Sequence, residues 1–134
     1  MRLFAVCAVA LTLLAAGAAA AGSSARTHLT VTYWEDGSRT ADKTTWTLQC
    51  NPADGTLRRP AVACRRIATG GRALFAPVKE GALCTEIYGG PQVGLIVGAI
   101  DGRRVWVKFQ RRNGCEIGRW THVSPWLLPP GGVT

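Results

Sequence analysis

The sequence has little of what most enzyme active sites need. It contains two histidines, His28 and His122, which stand close to the two ends of the predicted domain. It has no Gly-x-Ser-x-Gly elbow, no His-Glu-x-x-His zinc motif and no glycine-rich phosphate loop. No Cys-x-x-Cys pair accompanies the histidines, so the spacing does not favour a zinc site either. We therefore expect a protein that is not an enzyme and that uses neither a cofactor nor a metal.

Long hydrophobic runs are also missing, apart from one at the N-terminus. Residues 3–16 are almost wholly apolar, follow the basic start at Arg2 and precede the small residues 18–21. This order is typical of a secretory signal peptide, and the run is shorter than the roughly 20 residues of a spanning helix. We expect removal of residues 1–21, a secreted extracellular protein, and no membrane partner for the mature form.

Acidic residues are half as frequent as basic ones. The chain has 8 Asp and Glu against 16 Lys and Arg, a formal net charge of +8. Such an excess can mark a protein that binds polyanions. The arginine pairs are nevertheless scattered and form no single basic run; they are Arg58-Arg59, Arg65-Arg66, Arg103-Arg104 and Arg111-Arg112. We therefore expect no nucleic-acid partner.

Cysteines are few but even in number once the signal peptide is set aside. Removal of Cys7 leaves Cys50, Cys64, Cys84 and Cys115. An even count in a small exported domain predicts two disulfides. Sequential pairing closes the shortest loops, each worth roughly 3 kcal/mol of stability. Spacing alone does not choose among the three possible pairings.

The hydrophobic pattern is mainly that of β-structure. Alternation of apolar and polar residues predicts strands at residues 28–34, 44–50 and 103–110. Residues 92–100 are apolar and β-prone, and residues 115–120 can form a last strand. Pro60 can begin a short helix that Gly70-Gly71 ends, and Asp101-Gly102 predicts a hairpin turn. The expected fold class is α+β, with a five-stranded antiparallel sheet and one or two short helices.

These elements predict one folded domain with an extension at each end. The predicted segments are a signal peptide at 1–21, a flexible start at 22–27, a domain at 28–122 and a loose Pro/Gly-rich tail at 123–134. At this length one domain is the expectation.

One segment without regular patterning is unusual. It reads Cys84-Thr85-Glu86-Ile87-Tyr88-Gly89-Gly90-Pro91, with a cysteine at one end and Gly-Gly-Pro at the other. A disulfide from Cys115 could tether its start to a neighbouring strand. From these residues alone, an ordinary surface loop held by a disulfide is the simpler interpretation.

Three motifs together resemble the Streptomyces subtilisin inhibitor family. They are Cys50-Asn51-Pro52 with Gly55-Thr56 and Ala63-Cys64, then Cys84-Thr85-Glu86-Ile87-Tyr88, then Phe109 with Asn113, Cys115 and Glu116. The resemblance extends from about residue 29 to residue 120, and the cysteine spacing combined with the loop makes it specific.

The resemblance implies an architecture and a mechanism. It implies disulfides Cys50–Cys64 and Cys84–Cys115, a homodimer formed through the sheet, and a serine endopeptidase of the subtilisin type as partner. The reactive bond would be Glu86–Ile87, in an inhibitory loop that also includes Cys84, Thr85, Tyr88 and Gly89. Support for the loop would come from Cys115 and from Asn113.

Two of these roles have alternatives. Tyr88 either packs beneath the loop or contacts the enzyme beyond the cut. Asn113 either hydrogen-bonds the loop backbone or is a turn residue before Gly114.

The chain also departs from the family pattern. Leu57-Arg58 replaces the usual His-Pro, the tail after residue 122 looks longer, and Glu86 stands where Met, Lys or Arg is more common. The target is therefore either a broad subtilisin-like enzyme that tolerates Glu86 or a glutamate-specific serine protease. A further alternative is a non-inhibitory binding module that uses arginines together with Trp34, Trp106 and Trp126.

Overall fold

In a computed structural model, the part of the chain that is described comprises residues 26–132. The predicted signal peptide and residues 22–25 of the predicted flexible start lie outside it. The elements are β1 (His28–Trp34), β2 (Thr44–Gln49), α1 (Pro60–Gly70), a 3-10 helix (Gly71–Phe75), β3 (Val93–Ile100), β4 (Arg103–Phe109) and α2 (Gly114–Val123).

The four strands form one antiparallel sheet in the order β2-β1-β3-β4. In the central strand β1, Val31 pairs with Trp46 of β2 on one side and with Ile96 of β3 on the other. The β3–β4 hairpin turns at Asp101-Gly102, both with positive φ (49° and 76°), as its Asp-Gly sequence predicts. The predicted strands at these four positions, the short helix and the antiparallel sheet are confirmed.

The fifth predicted strand is wrong. Residues 115–120 lie within α2, so residues 26–132 form a four-stranded sheet and two α-helices. Asn113 caps this helix, because its side chain accepts a 3.0 Å hydrogen bond from the amide of Glu116. The buried residues Glu116, Trp120 and Val123 recur at helical spacing. Six residues cover fewer than two helical turns, too few for the helical period to be evident in the sequence.

The core lies between one sheet face and the helices together with the C-terminal segment. Its residues include Leu29, Val31 and Tyr33 of β1, Leu48 of β2, Ile96 and Ile100 of β3, Phe109 of β4, and Trp120 of α2. The inward alternation predicted for β1 and β4 is therefore confirmed.

The segment after α2 is not a loose tail. Trp126, Leu127 and Leu128 are buried in the core, and Trp126 Nε1 donates a 2.9 Å hydrogen bond to the carbonyl of His122. The Pro and Gly content suggested a loose tail. Three consecutive large apolar residues gain more free energy when their surface is removed from water, so the segment packs on the core. At the other end, Thr27 is also buried and its carbonyl accepts from the Cys50 amide, so it belongs to the domain.

Both disulfides pair as the resemblance implied. Cys50–Cys64 joins the end of β2 to α1, and Cys84–Cys115 joins the irregular segment to α2. The departure at Leu57 leaves the fold intact, because Leu57 is buried and its amide donates to Thr47 O at 3.0 Å. Neither α-helix within residues 26–132 has the length and apolar character needed to cross a bilayer.

Candidate functional site

Three large, exposed apolar side chains lie on one irregular segment. Residues 76–92, between the 3-10 helix and β3, contain no helix or strand. In this segment Leu83 is fully exposed, Ile87 is 62% exposed and Tyr88 is 60% exposed. Isolated proteins rarely hold such side chains in water together, so this group is a candidate contact surface.

The 84–89 loop is held at both ends and free in the middle. Its first residue is fixed by the disulfide Cys84–Cys115. The carbonyl of Thr85 accepts a 2.9 Å hydrogen bond from Gly114 N, and Gly89 N donates one of 2.7 Å to Arg111 O. Within the described residues, the backbone groups of residues 86–88 make no hydrogen bond to the protein.

The start of α2 supports the N-terminal half of the loop. Gly114 approaches Thr85 so closely that a Cβ at position 114 would collide with the Thr85 hydroxyl. The Asn113 side chain caps α2 and makes no hydrogen bond to the loop backbone. Asn113 thus stands at the start of the helix from which Gly114 and Cys115 contact the loop.

The C-terminal half of the loop lies against the protein. Gly89 is buried against the side chain of Ile117, and Gly90 has a φ of 128° that favours glycine. Tyr88, by contrast, stays largely in solvent. Of its two expected roles, packing beneath the loop does not agree with this exposure.

Arg111 lies below this end of the loop, among aromatic side chains. Its guanidinium carbon is 5.9 Å from the ring centroid of Trp120. Burial raises the pKa of the nearby Tyr33 hydroxyl and the Glu35 carboxylate raises it further, whereas the Arg111 charge lowers it. Arg111 is therefore half-buried, with its guanidinium beside Trp120 and its charge close enough to act on Tyr33.

Glu86 is exposed at the tip of the loop and forms no ion pair with any described residue. The ion pair observed in this part of the chain joins Arg119 and Glu116 at 2.7 Å, on α2. The Glu86 carboxylate is therefore available to a partner without breaking an interaction in the protein.

Leu83 is the exposed residue that the sequence interpretation missed. It directly precedes Cys84, three positions before Glu86, and is 101% exposed. Its position could have indicated a contact residue. A surface turn normally carries polar residues, and here a leucine stands between Gly81-Ala82 and Cys84.

The residues of the alternative binding surface do not come together. Trp126 is 5% exposed and lies in the core, whereas Trp106 is 67% exposed on β4. Two arginines that precede α1 and one within it instead border a cleft of about 530 Å³ between α1 and the C-terminal segment. Its lining includes Trp46, Arg58, Arg59, Arg66, Trp126 and Pro130. Among residues 26–132, no group of three or more potential metal ligands is found.

Known proteins were compared with the chain by sequence and by structure. No curated protein matches the chain significantly. Among solved structures, Streptomyces caespitosus sermetstatin, in complex with Bacillus licheniformis subtilisin, is 29% identical. That match covers 70% of this chain and 90% of sermetstatin, with a TM-score of 0.46.

The match to a family profile is the decisive comparison. The profile described as "Subtilisin inhibitor-like" matches residues 23–113, more than half of the 134 residues. The matched region includes β1 to β4, three of the four paired cysteines and the whole 84–89 loop. The chain belongs to the subtilisin inhibitor-like family.

Proposed function

We propose that this protein is a secreted inhibitor of subtilisin-like serine endopeptidases whose reactive bond is Glu86–Ile87. The family it belongs to consists of protease inhibitors rather than enzymes. The observation that carries the assignment to this bond is the three-residue span 86–88, exposed and without internal hydrogen bonds between two fixed ends.

The loop is suited to enter a protease as a substrate does. Because the backbone of residues 86–88 is unpaired, it can add a strand to the edge of a binding cleft. The Glu86 carbonyl would then point into the oxyanion hole, with its side chain in the primary pocket. Leu83 and Thr85 would contact the enzyme before the cut, and Tyr88 after it.

Two anchors explain why cleavage of this bond would stall. After a cut at Glu86–Ile87, the new carboxyl end stays attached through Cys84–Cys115 and through Gly114 N–Thr85 O. The new amine stays attached through the bond from Gly89 to Arg111. Neither end can diffuse away, so re-formation of the peptide bond competes with release.

The same anchors favour tight binding. A loop ordered before association loses less conformational entropy on binding than a flexible peptide does. Such complexes can be tight although they bury only about 1,600 Å² in total.

With Glu86 before the proposed cut, two classes of target protease are possible. In the broad, mostly apolar pocket of a subtilisin, an ionised carboxylate is poorly solvated, at a cost of about 1–3 kcal/mol. A glutamate-specific protease would instead supply a cationic or hydrogen-bonding group. We favour the subtilisin-like target, with Leu83 and Tyr88 as compensating contacts, because both offer large exposed apolar surface.

We further propose that the protein acts as an extracellular homodimer. The predicted signal peptide at residues 1–21 accounts for secretion. On the outer face of the sheet, Val97 of β3 pairs with Trp106 of β4, and these side chains are 38% and 67% exposed. A second copy of the same face would cover both side chains.

A titration of subtilisin activity tests the proposal. The protein lacking residues 1–21 should abolish hydrolysis of a small peptide substrate at one inhibitor chain per enzyme. Competition with a reversible active-site ligand should weaken this inhibition. An absence of inhibition of both subtilisin and a glutamate-specific serine protease at micromolar concentration would contradict it.

One observation favours the second candidate, a non-inhibitory secreted binding module. The cleft between α1 and the C-terminal segment carries three arginines beside apolar walls, a composition that suits an anionic ligand. The titration separates the candidates, because a module of this kind would leave protease activity unchanged.

A further inference from the structure

The C-terminal segment, residues 124–132, returns to the far end of the 84–89 loop. Trp120 Nε1 of α2 donates a 2.9 Å hydrogen bond to the carbonyl of Pro129, which brings the segment alongside the helix. Three residues further along the segment, the carbonyl of Gly132 accepts a 2.9 Å hydrogen bond from Gln92 Nε2. Gln92 precedes β3 and is only 4% exposed, so this contact is made inside the protein.

Gln92 connects the C-terminal segment to Arg111. Its Oε1 atom accepts a 3.3 Å hydrogen bond from Arg111 Nη1. The backbone carbonyl of Arg111 in turn accepts the 2.7 Å hydrogen bond from Gly89 N. Three hydrogen bonds therefore link Gly132 to Gln92, Gln92 to the Arg111 side chain, and the Arg111 backbone to the last residue of the loop.

Close packing reinforces these hydrogen bonds. Gly131 lies so near the Arg111 guanidinium that a Cβ at position 131 would collide with it. Gly90 is equally close to Gln92 Oε1, and a Cβ there would also lie 3.0 Å from Gly132 O. Arg111 Nε is buried and has no hydrogen-bond partner among the described residues. The guanidinium is thus held by its hydrogen bond to Gln92, by the Trp120 ring and by close packing against Gly131.

We propose that Gly131-Gly132 braces the C-terminal half of the reactive loop, with Gln92 and Arg111 as positioning residues. The functional consequence rests on the proposed function. After a cut at Glu86–Ile87, the new amine is held through Gly89, so the brace sets how often that amine is in place for re-ligation. Gly131 and Gly132 lie beyond the region matched to the family, residues 23–113. The brace is therefore an addition to the matched part of the domain.

Two adjacent glycines supply a matched pair of variants. Gly131→Ala places a methyl group against the Arg111 guanidinium, whereas Gly132→Ala meets nothing within 4 Å and keeps its carbonyl. Arg111→Lys is a second disrupting variant, which keeps the positive charge but loses the planar fork. All three are made in the protein lacking residues 1–21.

The first measurement needs no protease. Amide hydrogen exchange of Gly89, followed by NMR in the free protein, should be roughly three- to tenfold faster in Gly131→Ala and Arg111→Lys. It should be unchanged in Gly132→Ala, and the exchange of Gly114, at the other anchor, should be unchanged in all three. Unchanged Gly89 exchange in both disrupting variants, or equal acceleration in Gly132→Ala, would overturn the brace.

The second measurement is the rate at which subtilisin hydrolyses Glu86–Ile87 in the complex. It should rise by a similar factor in the two disrupting variants only, which a merely structural loss of thermal stability would not produce. Faster Gly89 exchange without faster hydrolysis would overturn the functional consequence. Faster exchange in a protein whose unaltered form does not inhibit would retain the brace and reject the proposed function.

Discussion

The amide nitrogen of Gly114 lies 2.9 Å from the carbonyl oxygen of Thr85 and donates a hydrogen bond to it. This contact joins the first residue of α2 to the residue before the proposed reactive bond. The disulfide Cys84–Cys115 adds a covalent link beside it, because Cys84 precedes Thr85 and Cys115 follows Gly114. Loop and helix therefore share one anchor, and a change that loosens the helix start should also loosen the loop.

Replacement of Asn113 should test this coupling. Asn113→Ala removes the cap of α2 and should lower the free energy of unfolding by about 1 kcal/mol. Asn113→Asp, which also caps a helix, should retain the stability. Urea unfolding measures both, and hydrolysis of Glu86–Ile87 by subtilisin should be faster only in the alanine variant. Equal behaviour of the two variants would show that the cap has no part in holding the loop.

The two disulfides should separate stability from inhibition. They close sequence separations of 14 and 31 residues, so removal of either pair by Cys→Ser should cost roughly 3–4 kcal/mol. Under conditions where both variants remain folded, the protein without Cys50–Cys64 should still inhibit subtilisin. The protein without Cys84–Cys115 should be hydrolysed as a substrate. Chromatography of the digests distinguishes the two results; resistance of both variants to cleavage would count against the anchoring role.

Glu86→Met should strengthen inhibition of subtilisin at least tenfold, because an apolar side chain avoids the cost of placing a charge in the pocket. It should abolish any inhibition of a glutamate-specific protease. Glu80→Met is the matched control, since Glu80 is exposed in the same irregular segment and should leave both inhibition constants unchanged. If Glu86→Met also changed neither constant, the side chain would not enter the pocket and the reactive bond would be misplaced.

Trp106→Glu should convert the proposed dimer into a monomer. It replaces one member of the exposed apolar pair Val97–Trp106 by a charged residue, which the partner copy would have to bury. Sedimentation at micromolar concentration measures the mass. Tyr88→Glu is the control, since it alters an equally exposed aromatic residue on the loop and should leave the mass unchanged. A monomeric unaltered protein would remove the basis for the dimer.

The strands were predictable because their side chains obey a simple period. Residues such as Leu29, Val31 and Tyr33 alternate inward without interruption, and the Asp101-Gly102 turn fixes the hairpin register. Helix α2 was missed because Glu116, a charged residue, occupies a buried position through its ion pair with Arg119. Such compensation cannot be seen until the fold brings the partners together.

The site was predictable only where its signals are local in the sequence. The limits of the loop follow from Cys84, Cys115 and the glycines, which are local signals. The contribution of Gln92 and Arg111 could not be predicted, because it depends on contacts between distant residues. Gln92 and Arg111 are 19 residues apart in the sequence, and Gln92 and Gly132 are 40 apart. Burial of Trp126 likewise depends on a chain return that composition did not indicate.

The most direct test of the reactive bond is the site at which subtilisin cuts its bound inhibitor. The protein lacking residues 1–21 is incubated with a small molar fraction of subtilisin, and new amino termini are identified by mass spectrometry over time. We predict a single slow cut that creates an amino terminus at Ile87, with inhibition persisting while the cut and uncut forms exchange. Rapid digestion at many bonds, or a persistent single cut elsewhere than Glu86–Ile87, would contradict the account.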